Sequence, residues 1–258
     1  MTGTDIRLAQ LFNPDSGRSF ITAFDHGQSL GVRNNPLDLL AKIVAGNPEG
    51  VLLNPGILRQ GAELFARRGA PVPVVRADWC LLDEGDKHEL GERYRVLTSP
   101  SEALAMGAGA ICMYFIMRPT DGGMFADNAR AIAEAAHEAH RVGIPLIVEG
   151  TLWGLRNEDR KDPELLAKVN RMAAELGADA IKTEYTDPET MPMIIDNVGD
   201  IPVMTLGGAK GDIDAVKKAA AGAIGSGAKG LIFGRNVWDT EDPTATTRAL
   251  LEITHKEL

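Results

Sequence analysis

The sequence predicts an α/β fold, a single (β/α)8 TIM barrel filling residues 1–258 as one domain. Three observations carry this expectation. Short apolar runs recur roughly every 20 to 35 residues, with amphipathic helical patterns between them. Three helices run into the next strand through a similar phrase: Gly107-Ala108-Gly109-Ala110, Gly177-Ala178-Asp179-Ala180 and Gly227-Ala228-Lys229-Gly230. Glycine just past a helix accepts the left-handed conformation that turns the chain back toward the sheet. Eight such βα units also match the roughly 250 residues of a closed barrel. An open doubly wound sheet is the alternative that the alternation itself leaves.

The elements follow in order. An apolar run predicts the first strand at 20–24 and a helix at 36–45; the next strand and helix fall at 50–54 and 57–68. The third strand covers 72–77, and Ser99-Pro100 opens a helix over 100–106, since a capping residue followed by proline marks a helix start. Strand 110–116 and helix 124–142 lead through the looser junction Arg141-Val142-Gly143-Ile144-Pro145 to strand 145–149. Asp162-Pro163 opens a helix over 163–176, where Leu165, Leu166, Val169, Met172, Ala173 and Leu176 keep helical spacing and Gly177 stops it. The sixth strand is 180–183. Asp187-Pro188 opens a helix over 188–197, strand 202–206 follows, and helix 212–226 precedes strand 230–233. Asp242-Pro243 opens the last helix, 243–256.

Composition narrows the function. A formal charge of -9 argues against nucleic acid as the main partner, because that binding relies on a basic face. The 44% hydrophobic content contains no run of about 18 apolar residues, so no membrane span is expected. Met1-Thr2-Gly3-Thr4-Asp5 lacks the basic and apolar regions of a signal peptide, and the expected location is cytoplasmic. Cys80 and Cys112 form neither a disulfide framework nor a zinc spacing.

In a barrel, the residues at the carboxyl ends of the strands define the site. The first strand delivers Asp25-His26-Gly27, the second Asn54-Pro55-Gly56 and the third Asp78-Trp79; the fourth contains Tyr114 and the fifth ends at Glu149. Lys182 sits near the end of the sixth strand, where a partly desolvated amine can attack a carbonyl to form a Schiff base. The plain alternative is a surface lysine just past a strand. Asp25 and Glu149 are acid/base candidates, and His26 reads as a structural imidazole beside the substrate. The last two strands end in Gly207-Gly208-Ala209-Lys210 and Gly234-Arg235-Asn236. Glycines let backbone N–H groups approach phosphate oxygens, and an arginine adds a bidentate contact. Asp25, Glu149 and Glu184 offer carboxylates, but no HxH or HxxE spacing supports a metal.

Phe24-Asp25-His26-Gly27, Val51-Leu52-Leu53-Asn54-Pro55-Gly56, Gly177-Ala178-Asp179-Ala180-Ile181-Lys182-Thr183, Gly207-Gly208-Ala209-Lys210 and Gly234-Arg235-Asn236 occur in this order. In that arrangement the chain resembles the DhnA/FbaB-type class I aldolase family, the DeoC/LacD-like group. The group includes archaeal-type fructose-bisphosphate aldolase, aminodideoxyheptulosonate synthase and the LsrF thiolase. The resemblance spans residues from about 20 to 243. It implies a barrel without a cofactor, a Schiff-base lysine at Lys182 and an aspartate at Asp25. It further implies a substrate phosphate held by Gly207, Gly208, Gly234 and Arg235, and a homo-oligomer. One position departs from the pattern. Fructose-bisphosphate members usually carry Tyr-Pro-Arg-Gly after the fifth strand, with the tyrosine as acid/base, whereas this chain has Thr151-Leu152-Trp153-Gly154. Glu149 and Tyr114 are then the candidates for proton transfer.

The expected function is cleavage or formation of a C–C bond of a phosphorylated ketose through a lysine Schiff base. Two alternatives are a transaldolase-like or thiolase-like transfer on a phosphorylated keto sugar, and a noncatalytic sugar-phosphate-binding barrel. Loops 77–95 and 151–162 would set specificity.

Overall fold

The computed structural model describes residues 2–25 and 35–256. In chain order its strands are β1 (Ser19–Phe24), β2 (Gly50–Leu53), β3 (Val72–Arg76), β4 (Asp78–Cys80), β5 (Tyr94–Val96), β6 (Ala110–Ile116), β7 (Leu146–Thr151), β8 (Ala180–Glu184), β9 (Val203–Leu206) and β10 (Gly230–Phe233). Its helices are α1 (Gly3–Gln10), α2 (Pro36–Gly46), α3 (Pro55–Gln60), α4 (Glu84–Leu90), α5 (Pro100–Ala105), α6 (Gly122–Val142), α7 (Pro163–Glu175), α8 (Met191–Asp196), α9 (Ile213–Gly225), α10 (Arg235–Trp238) and α11 (Pro243–His255). Eight strands close into a parallel barrel in the order β1-β10-β9-β8-β7-β6-β3-β2, so the closed barrel holds and the open sheet does not. β4 and β5 form a separate antiparallel hairpin.

The junction glycines behave as their sequence context predicts: Gly107, Gly177 and Gly227 have φ of +89°, +105° and +98°. Ser99, Asp162 and Asp242 each cap a helix that has proline in its first turn. Asp187 does not. Its carboxylate instead accepts from the backbone N–H groups of Glu189 and Thr190, both at 2.8 Å, and this turn delays α8 to Met191. The single helix expected over 57–68 is α3 followed by a 3-10 turn, Ala62–Phe65. Gly61 between them packs so closely on Leu40 that a Cβ would collide with it. The sequence pattern gave no sign of α1, α4, α10 or the β4–β5 hairpin.

Two apolar regions hold the barrel. Outside, Val51, Leu53, Val75, Ile111, Phe115, Val148, Ile181 and Val203 pack on helix residues such as Leu40, Ile43, Ile132, Leu166 and Val169. Each such fully buried aliphatic side chain contributes about 1.5–3 kcal/mol. Inside, Ile21, Leu52, Val74, Ala110, Ile147, Ala180, Met204 and Ile232 form an apolar layer, with Leu8, Leu11 and Phe12 packed on it from α1 and the turn after it. Leu11 is fully buried there, so the amino-terminal end of the barrel is plugged. A site reaching into the barrel must open at the other end.

Candidate active site

Alternate residues of a strand share a face, so the side chains two positions beyond the apolar layer also point inward. On most of the strands they are polar. Ala23 leads to Asp25, Val74 to Arg76, Cys112 to Tyr114, Ile147 to Glu149 and Ala180 to Lys182. The strands extend further than expected, β7 to Thr151 and β8 to Glu184, so Glu149 and Lys182 sit within rigid strand and not at its very end. Parallel register sets Tyr114, Glu149, Lys182 and Met204 side by side across β6 to β9.

Arg76 organises this layer, and reading the sequence missed it. The signal was there: an arginine inside an apolar run that a barrel buries on both faces. Its side chain is almost fully buried. Nε donates to Asp25 Oδ2 at 2.8 Å, Nη2 donates to Glu149 Oε2, and Nη1 stands 3.6 Å from Asp78 Oδ1. The guanidinium carbon lies 3.7 Å from the centre of the Tyr114 ring, close enough for a cation–π contact. Burial alone would lower the Arg76 pKa, but the negative groups around it, Asp25 and Glu149 among them, hold it well above its ordinary value. The guanidinium is therefore a fixed positive charge. Burial pushes Asp78 up to about 7 against the pull of Arg76 and the Tyr114 backbone N–H.

Lys182 Nζ donates to Glu149 Oε2 at 2.8 Å, and the two side chains are 2% and 1% exposed. Both line a cavity of about 680 Å³ at the carboxyl ends of the strands, a size usual for small-molecule sites. Gly207, Gly208, Gly234 and Arg235 line its β9–β10 side. Glu184, Trp153 and Lys161 line it beyond β7 and β8, with Lys87 of α4 beside them, its Nζ donating to the Trp153 carbonyl at 3.0 Å.

The two glycine loops predicted to hold an anion are joined by Asn236. Its Nδ2 donates to Gly207 O at 2.6 Å and Ala209 O at 3.1 Å, while its Oδ1 accepts from Gly211 N at 2.9 Å. Gly207 packs on Phe233 where a Cβ would intrude, and Gly208 has φ +65°, so neither position suits a side chain.

The remaining candidates are placed differently. Asn54 is buried and donates to the Asp25 carbonyl at 2.7 Å, supporting the strand end rather than facing the cavity. Tyr114 lies against Arg76 and Trp153, and burial drives its phenol well above the ordinary value. Lys210 pairs with Asp239 at 2.9 Å, about half exposed. His26 lies outside the described residues. Glu184, considered in the sequence only as a metal-type carboxylate, is buried beside Lys182, and burial pushes it up to about 7.

Residues 19–240 match the family model described as DeoC/LacD family aldolase. Over 263 aligned residues the chain is 30% identical to an uncharacterized aldolase of Saccharolobus solfataricus, covering 99% of this chain and 96% of that one. It is 29% identical to the class 1 fructose-bisphosphate aldolase of Thermoproteus tenax, covering 93% and 90% of the two chains. Among solved structures, an archaeal fructose-1,6-bisphosphate aldolase whose catalytic lysine is covalently bound to the carbinolamine intermediate superposes with a TM-score of 0.82. The identity is 25%, over 98% of this chain and 100% of that one. Among the described residues no helix is long and apolar enough to cross a membrane.

Proposed function

The chain belongs to the DeoC/LacD family of aldolases, and from that membership we propose that it makes or breaks a C–C bond of a phosphorylated ketose through a Schiff base on Lys182. One observation carries the reading: a buried amine on the cavity floor, hydrogen-bonded at 2.8 Å to the carboxylate of Glu149. An ammonium cannot attack a carbonyl, and Glu149 is positioned to accept its proton.

The free amine adds to the substrate carbonyl to give a carbinolamine, which loses water to become an iminium. A base then removes the proton from the hydroxyl of the carbon beyond the scissile bond. That C–O pair forms the aldehyde, and the electrons of the C–C bond flow into the iminium to leave an enamine. Protonation of the enamine carbon and hydrolysis release a dihydroxyacetone-phosphate-type product and free Lys182. Arg76, which cannot lose its proton, holds Asp25 through Nε and Glu149 through Nη2 in place.

The walls give the substrate a direction. Its phosphate fits the β9–β10 side, where Gly207, Gly208, Gly234 and Arg235 offer N–H groups and a guanidinium. The carbonyl meets Lys182 on β8, and the departing half extends past β7 toward Trp153 and Lys161. We further propose a homo-oligomer, as the family resemblance implies, and separately a cytoplasmic location.

The test is borohydride reduction in the presence of dihydroxyacetone phosphate and, separately, a panel of phosphorylated ketoses, followed by mass mapping. A stable adduct on Lys182 is expected, absent from Lys182→Ala. No adduct with any compound, or one on Lys210 or another lysine, would sink the proposal. Running the panel with aldehyde and coenzyme A acceptors separates cleavage from the transfer reactions.

A further inference from the structure

We infer that Glu184 is the acid/base group of the C–C step, taking the hydroxyl proton on the carbon beyond the scissile bond and returning it in the reverse reaction. The inference rests on the Schiff-base reading of Lys182 and divides the proton chemistry in two. Glu149 serves the nitrogen, and Glu184 serves the departing oxygen.

Position supports this. Glu184 is the last residue of β8, two beyond Lys182 and therefore on the same inward face, nearer the mouth. Two strand residues advance the chain by roughly 6.6–6.8 Å. The hydroxyl oxygen in question lies two carbons beyond the one bonded to Nζ, so it is offset from Nζ toward the departing half. Glu184 lines that part of the cavity with Trp153 and Lys161. Glu149 already holds two partners, Lys182 and Arg76, through one oxygen and is committed to the amine. Tyr114 is stacked beneath Arg76. Thr151, the last residue of β7, and Trp153 just beyond it bring no titratable group. Among the described carboxylates that line the cavity near Nζ, Glu184 is left for the second proton.

Its environment suits the task. Burial disfavours the charged form, Lys161 favours it, Glu149 opposes it, and a hydrogen bond from the Trp153 side chain favours it, leaving the carboxyl at about 7. Lys182 faces it from its own strand, Lys87 donates to the Trp153 carbonyl at 3.0 Å, and Glu84, Arg160 and Arg235 also line the cavity. Such a group exchanges protons readily at neutral pH. Burial also raises Asp78 to about 7, but Asp78 is fully enclosed, with its carboxylate on the Tyr114 N–H and beside Arg76.

The experiment compares Glu184→Gln and Glu184→Asp with the unaltered enzyme in two assays. The first is borohydride trapping of the dihydroxyacetone phosphate adduct on Lys182, which needs no C–C chemistry. The second is cleavage of the phosphorylated ketose that the unaltered enzyme turns over fastest. Glu184→Gln should trap within about twofold of the unaltered protein yet cleave on the order of 10²- to 10⁴-fold more slowly, with partial recovery in Glu184→Asp. The unaltered enzyme should show cleavage rising with pH through a limb near 7, and Glu184→Gln should lose it. Cleavage by Glu184→Gln within about threefold with the limb intact overturns the inference. So does a loss of trapping that parallels the loss of cleavage. The pH profile of the unaltered enzyme decides independently of how the variants fold, since a flat profile between pH 6 and 8 also refutes the assignment. Failure of trapping in the unaltered enzyme refutes the Schiff-base reading itself, so the two failures are distinct.

Discussion

Glu149 and Lys182 are direct partners in the β7–β8 ladder, and their side chains meet at 2.8 Å inside the barrel. A parallel ladder places paired residues on the same face, so the contact is fixed by strand register and does not depend on a loop. The amine and the carboxylate are held together by the barrel itself.

Replacing Glu149 by glutamine keeps the shape and an oxygen that can accept from Nζ, but removes the ability to take a proton. Imine formation should slow by about 10²- to 10⁴-fold. The measurement is the time course of borohydride-trappable adduct with dihydroxyacetone phosphate at pH 7.5. An unchanged rate would show that the amine loses its proton by another route.

Arg76 is a structural necessity for the charges around it. Removing one partner from a buried ion cluster leaves uncompensated charge and typically costs about 3–5 kcal/mol. Arg76→Met should therefore lower the urea midpoint at pH 8 strongly. Arg76→Lys keeps the charge but not the fork that reaches Asp25, Asp78 and Glu149 together, so it should fall between the two. A Met variant with an unchanged midpoint would show that the carboxylates do not need this charge.

Asp78 gives stability a pH dependence of a definite sign. Its folded value of about 7 stands above the ordinary 3.8, so between those values the folded state holds a proton that the unfolded state has lost. Stability from this group is therefore fully present below about pH 4 and lost as pH rises toward and through 7, by at most a few kcal/mol. Asp78→Asn keeps an acceptor for the Tyr114 N–H and abolishes the titration. Urea unfolding at pH 5 and pH 8 should show a smaller decline for the variant than for the unaltered protein. Equal declines in the two proteins would mean that Asp78 titrates normally.

The barrel was legible in the sequence because its signals are local and repeated. Gly107, Gly177 and Gly227 mark the returns, and Ser99, Asp162 and Asp242 mark the helix starts. The strand-end residues Lys182, Glu149, Gly207 and Gly234 were readable for the same reason: each follows an apolar run. Arg76 was not, because its role comes from three carboxylates on other strands and from Tyr114, none of them near it in period or motif except Asp78. Glu184 was hidden by an expected strand end at residue 183, which put it on a loop. One more residue of strand turns it into the cavity beside Lys182. The β4–β5 hairpin and α4 fall within the stretch expected as a specificity loop, too short to show a period of their own.

The last prediction concerns the joined glycine loops. If they hold the substrate phosphate, Arg235 binds a group that does not change between ground and transition states, so its loss should be felt in binding alone. Arg235→Ala should raise KM for a phosphorylated ketose by about 10- to 100-fold, matching the roughly 1.5–3 kcal/mol of a charge-assisted hydrogen bond, with kcat little changed. Inorganic phosphate should inhibit the unaltered enzyme competitively and lose that effect in the variant. Asn236→Ala should act in the same direction without touching the phosphate, because Asn236 bonds to Gly207, Ala209 and Gly211 and fixes where their N–H groups point. The KM for an unphosphorylated ketose should be the same in all three proteins. A fall in kcat with unchanged KM would place Arg235 at the reacting carbons instead, and the direction assigned to the substrate would have to be reversed.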